Sequence, residues 1–293
     1  MLPRFALALL GSALLISCAS HPVAEPVTQL QVERRALLPL EVIESSGLAR
    51  QGEALWTHND SGDEPLIYRL DPQSGEVVST RRVRDALNFD WEEMAADAEW
   101  LHILDCGNNL GHREWMQIYS VSWSSLESAV RGEALPSRLV EFRFADAGKS
   151  GGAYAHDNDC EAAAVVNERV WVFSKNWQDQ HTRLYQVDPR KAGRQWLEPV
   201  ARFPVGGLIT AADYDSRRQR LVLLGYTKGR FSSHAFIWTL PVRNDQPDWE
   251  NARYYSLSPS GQWEAIVWTD DGLLLTRESS LLGQAWLGTV VLP

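Results

Sequence analysis

Five times along this chain a residue with an oxygen-bearing side chain opens a run of small or apolar residues. The blocks are Ser46-Gly47-Leu48-Ala49, Glu92-Glu93-Met94-Ala95, Glu161-Ala162-Ala163-Ala164, Thr210-Ala211-Ala212-Asp213 and Glu264-Ala265-Ile266-Val267. A second apolar run begins nine residues later at Leu55, Leu101, Val170 and Leu273, and eleven later at Leu221. A third follows around Ile67, Ile118, Tyr185, Ile237 and Leu287. Short apolar runs between turn signals suit buried strands. A unit that recurs at intervals of a few tens of residues points to a repeat architecture.

Fourth strands are expected at Glu76–Arg82, Leu139–Phe144, Leu197–Phe203 and Arg253–Leu257. The fifth unit reaches Pro293 after three strands, and Gln31–Leu38 is available to supply its fourth. The expected fold is all-β, a five-bladed β-propeller of four-stranded antiparallel blades closed by an N-terminal strand. Closure removes exposed sheet edges. A six-bladed propeller is the alternative. It needs a hidden unit in the 69-residue interval between Glu92 and Glu161, where Ser122–Pro136 reads as an inserted loop or short helix. A β-sandwich leaves the recurring polar residue unexplained.

The first strand of each propeller blade lines the central channel, so Ser46, Glu92, Glu161, Thr210 and Glu264 are expected to form a ring. Three carboxylates brought together repel one another and must take up protons or hold a cation. Calcium accepts 6–8 oxygen ligands in irregular geometry, which suits three carboxylates, two hydroxyls and water. The competing reading is a water-filled channel, or glutamates bonded to backbone N–H groups. Glu44, two residues before Ser46, shares its face of an extended strand. No Cys/His cluster has zinc spacing.

The exits of the second strands fall on the same face as this ring. They are rich in polar residues: His58, Asn59 and Asp60; Asp105, Asn108, Asn109 and Arg113; Lys175 and Asn176; Tyr226 and Lys228; Arg277 and Glu278. Turn chemistry alone accounts for much of the Asn, Asp and Gly there. It accounts less well for His58, Lys175 and Glu278. Cys106 and Cys160 also fall on this face, in neighbouring units. In an oxidising compartment they are open to forming a disulfide, and two buried thiols are the alternative.

Residues 1–17 do not belong to the fold. Arg4 precedes an apolar run, Phe5–Ile16, which is too short for a membrane span and has the length of a signal-peptide core. Leu15-Ile16-Ser17-Cys18 resembles a bacterial lipobox, which implies lipidation of Cys18 and anchorage to a membrane. Ala19 in place of Asp implies the outer membrane, facing the periplasm. Residues 18–29 read as a lipidated tether, and residues 30–293 as the propeller. Removing residues 1–17 leaves 27 basic against 38 acidic side chains, a net −11. With no Lys/Arg block, nucleic-acid partners are excluded.

Two family resemblances rest on these residues. Glu44-Ser45-Ser46-Gly47-Leu48, His58-Asn59-Asp60-Ser61-Gly62-Asp63, Asp90-Trp91-Glu92 and Asp105-Cys106-Gly107-Asn108-Asn109 resemble the motifs of a bacterial propeller lipoprotein family with no settled activity. The order Ser46, Glu92, Glu161, Thr210, Glu264 is similar to the axial calcium ligands of the calcium-activated soluble apyrases, with Thr210 in place of Ser. This second resemblance implies a five-bladed fold and an axial calcium ion. It is confined to the blade starts.

Three functions remain open from sequence. One is a calcium-dependent hydrolase of an anionic or phosphorylated substrate. Arg113, Lys175, Lys228 and Arg277 would neutralise the substrate, and His58, Asp60 or Asp105 would act as base. Another is a non-catalytic scaffold that binds a small anionic ligand or an envelope protein, with Trp56, Trp91, Trp115, Trp177 or Trp263 as contact surface. A third is a lactonase or glycosidase using Asp90 and Glu92. Fold alone does not choose among them.

Overall fold

Each repeat folds into its own antiparallel sheet, and the five sheets stand in a ring. The computed structural model describes residues 27–130, 132–228, 233–280 and 283–293. Residues 1–17, Cys18 and the tether up to residue 26 lie outside the described residues, as do Gly229 and Arg230. Blade one comprises Ser45–Gln51, Ala54–Asn59, Leu66–Leu70 and Val77–Val83. Blade two comprises Trp91–Ala96, Trp100–Asp105, Met116–Ser122 and Arg138–Phe144. Blade three runs through Asp159–Val166, Arg169–Lys175, Thr182–Val187 and Ala201–Phe203. Blade four runs through Leu208–Asp215, Arg220–Tyr226, Ala235–Arg243 and Arg253–Ser258. Blade five takes Trp263–Trp268, Leu273–Arg277 and Trp286–Val290 from the C-terminal end.

The fourth strand of blade five is Glu33–Leu37, antiparallel to Trp286–Val290 with Glu33 opposite Thr289 and Leu37 opposite Trp286. The fold is therefore the expected five-bladed propeller, closed by its N-terminal strand. Among the described residues no sixth blade lies between Glu92 and Glu161. That interval holds a helix, Trp123–Ser128, capped by the Ser122 side chain, and a two-residue strand, Ala134–Leu135.

Three blades carry an additional parallel strand on the outer edge. Ala134–Leu135 joins blade one, Gly193–Leu197 joins blade two, and Thr28–Gln31 joins blade four. Thr28 and Gln29, read from sequence as tether, thus pair with Tyr255 and Ser256. The expected strand Leu197–Phe203 is split. Leu197 ends the edge strand of blade two, and only Ala201–Phe203 belongs to blade three. Pro199 stands between them, with no N–H for a ladder bond.

The core lies between blades. Leu104, Ile118, Val140 and Phe142 of blade two pack on Ala163, Val172, Tyr185 and Val187 of blade three. Trp171 and Phe173 of blade three pack on Leu221, Leu223 and Phe236 of blade four. Trp56, Trp91 and Trp263 are buried in such interfaces. Each large apolar side chain buried this way contributes roughly 1.5–3 kcal/mol.

Candidate metal centre

The ladder between first and second strands slips by one residue at the same place in every blade. The slips lie between Ser45 and Gly47, Trp91 and Glu93, Cys160 and Ala162, Ile209 and Ala211, and Trp263 and Ala265. The residue left unpaired each time is Ser46, Glu92, Glu161, Thr210 or Glu264. These are the five repeat openers. A β-bulge re-aims a side chain and often borders a functional site. All five are buried. The first strands of successive blades touch one another all the way round, so these residues line the axis.

Glu92 lies in a tight acidic group. Carboxylate oxygens of Asp60, Asp90 and Glu92 all lie within 4.8 Å of one another. Asp60 leaves the second strand of blade one. Asp90 and Glu92 flank Trp91, whose backbone N–H donates to Asn88 Oδ1 (3.1 Å) and whose indole donates to the Leu87 carbonyl (2.9 Å). Glu92 Oε1 is buried and has no hydrogen-bond partner among the described residues. Gly107 floors the group: a Cβ there would lie 2.1 Å from Glu92 Oε1 and 2.4 Å from Asp90 Oδ2. An orphaned carboxylate oxygen over a glycine floor, beside two further carboxylates, fits a cation with hard oxygen ligands.

Glu161 has a different partner. Lys175 Nζ lies 2.8 Å from its Oε1. Burial alone would lower the Lys175 pKa, but Glu161, Tyr226, Glu264 and Asp159 outweigh it and hold the ammonium charged. Lys175 also lies 4.9 Å from the Trp177 ring and 5.7 Å from that of Tyr226. Thr210 donates its hydroxyl to the Trp263 carbonyl of blade five (2.9 Å).

One buried ammonium does not balance this many acids. Burial pushes Asp90 up to about 7, with Asp60 and Asp159 adding to the rise. Burial raises Glu92 far above the carboxylate range, with Glu161, Asp60 and Asp90 adding to it. Glu264 rises to about 7 through burial, and Glu278 to about 9 through burial and the charges of Glu264, Asp60 and Glu44. Burial also raises Asp60 and Glu161. The site holds protons at neutral pH unless a cation replaces them.

Several expected site residues have structural work. Asp105 is fully buried, meets Arg113 at 2.6 Å, and accepts the Asp90 N–H (3.2 Å). Arg113 also donates to the Trp115 and Gly107 carbonyls (3.2 and 3.4 Å). His58 is buried edge-on against Trp91, with Nδ1 2.9 Å from its neighbour's carbonyl, and burial lowers it to about 4. Asn59 donates to the Glu41 carbonyl and to Asp63, and Asn176 donates to Asp179. Asn108 donates its N–H to Asp159 (2.7 Å), while Asn109 accepts at its carbonyl from the Tyr154 N–H. Cys106 and Cys160 form a disulfide, with Cα atoms 5.4 Å apart. It ties blade two to blade three beside Gly107 and Glu161. Arg277 packs over Gly261, and Lys228 is exposed above Trp177 at 5.1 Å.

Sequence spacing missed Glu93. Its carboxylate accepts the N–H of Met94 and, across the channel in blade four, that of Ala212, both at 2.9 Å. It also missed Asp159, which accepts from Asn108 and from the Trp177 indole (2.7 Å). Asp90 was legible only as a paired acid. The signal for all three is an acid within three residues of a repeat opener.

No protein-family profile matches the chain, and no curated protein matches it. Its likeness is to solved propeller-like structures. An exo-β-1,3-galactanase from Clostridium thermocellum aligns over 87% of this chain and 61% of its own, at 14% identity and a TM-score of 0.52. An oxidoreductase (glucose dehydrogenase) from Thermus thermophilus aligns over 89% and 100%, at 12% identity and 0.48. Kuenenia stuttgartiensis hydrazine synthase aligns over 82% and 57%, at 10% identity and 0.43. The chain thus spans less than two thirds of the galactanase and of the hydrazine synthase. At these identities the likeness concerns the fold.

Proposed function

We propose that this protein is a lipid-anchored propeller of the cell envelope whose axial calcium ion organises a ligand-binding face. Asp60, Asp90 and Glu92 would hold the ion, and the strand exits around them would meet the ligand. The observation that carries the reading is the buried, unpartnered Glu92 Oε1 beside two further carboxylates. Calcium is favoured over zinc because the donors are carboxylate oxygens. The five repeat openers are similar in order to the apyrase calcium ligands, and one of them, Glu92, belongs to this group. Anchorage rests on the lipobox-like sequence ending at Cys18.

A scaffold is favoured over a hydrolase by what the candidate catalytic groups are doing. Asp105 is occupied by Arg113, His58 is turned into the core, and Lys175 is paired with Glu161. Asp60 remains as a base, and the exposed Lys228 as a neutralising group. A calcium-dependent hydrolase of a phosphorylated substrate is therefore the second reading, and bound calcium would polarise an anionic oxygen there.

Thermal melting with calcium and with a chelator tests the first reading. Calcium should raise the melting temperature of the wild type and not that of Glu92→Gln. An equal rise in both, or in neither, removes the reading. A nucleotide and phosphoester panel tests the second, which requires turnover that depends on calcium and is lost in Asp60→Asn. Detergent-phase partitioning that is lost in Cys18→Ser tests anchorage.

A further inference from the structure

The five-fold repeat allows each blade to be compared with the other four. Three residues past the bulge, the first strand pairs with a second-strand residue that faces the next blade. That residue is Trp56 in blade one, Trp171 in blade three, Val222 in blade four and Leu274 in blade five. All four are buried apolar side chains in inter-blade cores. Blade two has His102 there, opposite Ala95. The apolar packing between blades two and three stops at this row, and a cavity of about 320 Å³ opens at the end of the ring away from the acidic group.

His102 lines this cavity with Ser120, Trp100, Asn167 and Tyr214. Its Nδ1 lies 2.8 Å from Ser120 Oγ, and its Nε2 is buried with no hydrogen-bond partner among the described residues. Leaving such an atom buried and unpaired forfeits its hydration with nothing in return. Blades four and five carry a hydrocarbon there, Val222 and Leu274, while in the same row blade one leaves the Trp56 indole nitrogen unpaired among the described residues. What sets His102 apart is chemical: an imidazole nitrogen that can donate or accept, buried and unpaired against a cavity between blades, points to a polar ligand. The volume sits at the low end of the roughly 300–1,000 Å³ range of small-molecule pockets.

The lining chemistry sets the ligand class. Burial lowers His102 to about 4, so the ring is neutral at ordinary pH. Whichever tautomer it adopts, a hydroxyl satisfies Nε2, because a hydroxyl both donates and accepts. Trp100 and Tyr214 supply aromatic wall, and Arg138 already covers Trp100 at 4.2 Å. At the rim Glu168 pairs with Arg190 at 2.6 Å, and no cationic excess remains for a phosphate.

We propose that the cavity between blades two and three is a binding site for a neutral sugar ring, with His102 Nε2 bonded to a ring hydroxyl. The site is separate from the acidic group and does not depend on calcium.

Protein labelled with ¹⁵N-histidine is titrated, with and without calcium, with the methyl β-glycosides of glucose, galactose and N-acetylglucosamine. One glycoside should shift the His102 Nε2 resonance saturably, and equally in both conditions. Inorganic phosphate should not. His102→Leu copies blade five. It should melt at or above the wild-type temperature and lose glycoside binding, measured by ligand-observed NMR, at least tenfold. A histidine kept for structure would instead give a lower melting temperature. His102→Gln serves if the leucine variant does not fold, with the same tenfold loss expected. Tighter binding of an N-acetylglucosamine tetramer than of the monomer would assign the site to a glycan chain, and equal binding to a free sugar. No shift with any glycoside, a phosphate shift, or unchanged binding in the variant would overturn the assignment.

Discussion

Adding one methyl group at Gly107 should abolish the calcium response while leaving the fold intact. The backbone of Gly107 lies outside the left-handed region, so alanine brings no conformational strain. Its Cβ would stand 2.1 Å from Glu92 Oε1 and 2.4 Å from Asp90 Oδ2, inside the 3.0 Å that real Cβ atoms essentially never breach. The two oxygens must retreat by at least about 0.9 Å and 0.6 Å. Calcium–oxygen bonds span only about 2.3–2.6 Å, so two of the three proposed carboxylate ligands would leave the ion together. Under the proposed reading, calcium at a hundredfold excess over its Kd would stabilise the wild type by about 2.7 kcal/mol. For a domain of this size that raises the melting temperature by roughly 5–11 °C. Gly107→Ala should lose this rise. Its calcium-free stability should fall by no more than the roughly 1–3 kcal/mol of overpacking. Gly148, with open space around its Cβ position, is the control, and Gly148→Ala should keep the full response. Scanning calorimetry in chelator and in calcium measures both. A calcium-dependent rise in Gly107→Ala equal to wild type would refute the placement of the ion.

Without calcium the protein should lose stability as pH rises. Asp90 and Glu264 are raised to about 7 and Glu278 to about 9, so their contribution is full below the unfolded carboxylate range and is lost as pH passes 7 and then 9. Melting in chelator should be lower at pH 9 than at pH 5, and saturating calcium should flatten the profile; a flat profile in chelator contradicts this. Lys175→Met strands Glu161 and should cost about 3–5 kcal/mol by urea unfolding in chelator. Part of that should return with calcium, and a loss below about 1 kcal/mol would show that the pair is not energetically coupled. The Cys106–Cys160 disulfide closes a span of 54 residues, so Cys106→Ser/Cys160→Ser should be destabilised by about 4 kcal/mol. Guanidinium unfolding of oxidised wild type against the double variant measures this, and equal midpoints would assign the bridge no role.

Most of the architecture was legible because the repeat writes the same strand pattern five times and leaves one strand missing where the N-terminus can supply it. The repeat openers were legible for the same reason. Their geometry was not. A bulge inserts a residue into the period of two, and nothing in Glu92-Glu93 says which glutamate goes unpaired. The outcome is that Glu92 joins Asp60 and Asp90 while Glu93 crosses to Ala212. Lys175 looked from sequence like a substrate contact, because its reach onto Glu161 depends on how two strands are spaced. Asp60 and Asp90 come from different blades, and only the docking of those blades brings them together. The histidine at position 102 is not legible in sequence, because its meaning lies in comparison with Trp56, Trp171, Val222 and Leu274, a register that only the ladder defines.

Pairing Glu33–Leu37 with Trp286–Val290 has a consequence for biosynthesis. The segment translated first among the described strands of this sheet has its partner in the segment translated last. Blades one to four can assemble as their strands emerge, but blade five stays one strand short until residue 290 is free of the ribosome. Until then Glu33–Leu37 must remain unpaired through some 250 residues of synthesis, and no shorter length of chain can close the circle.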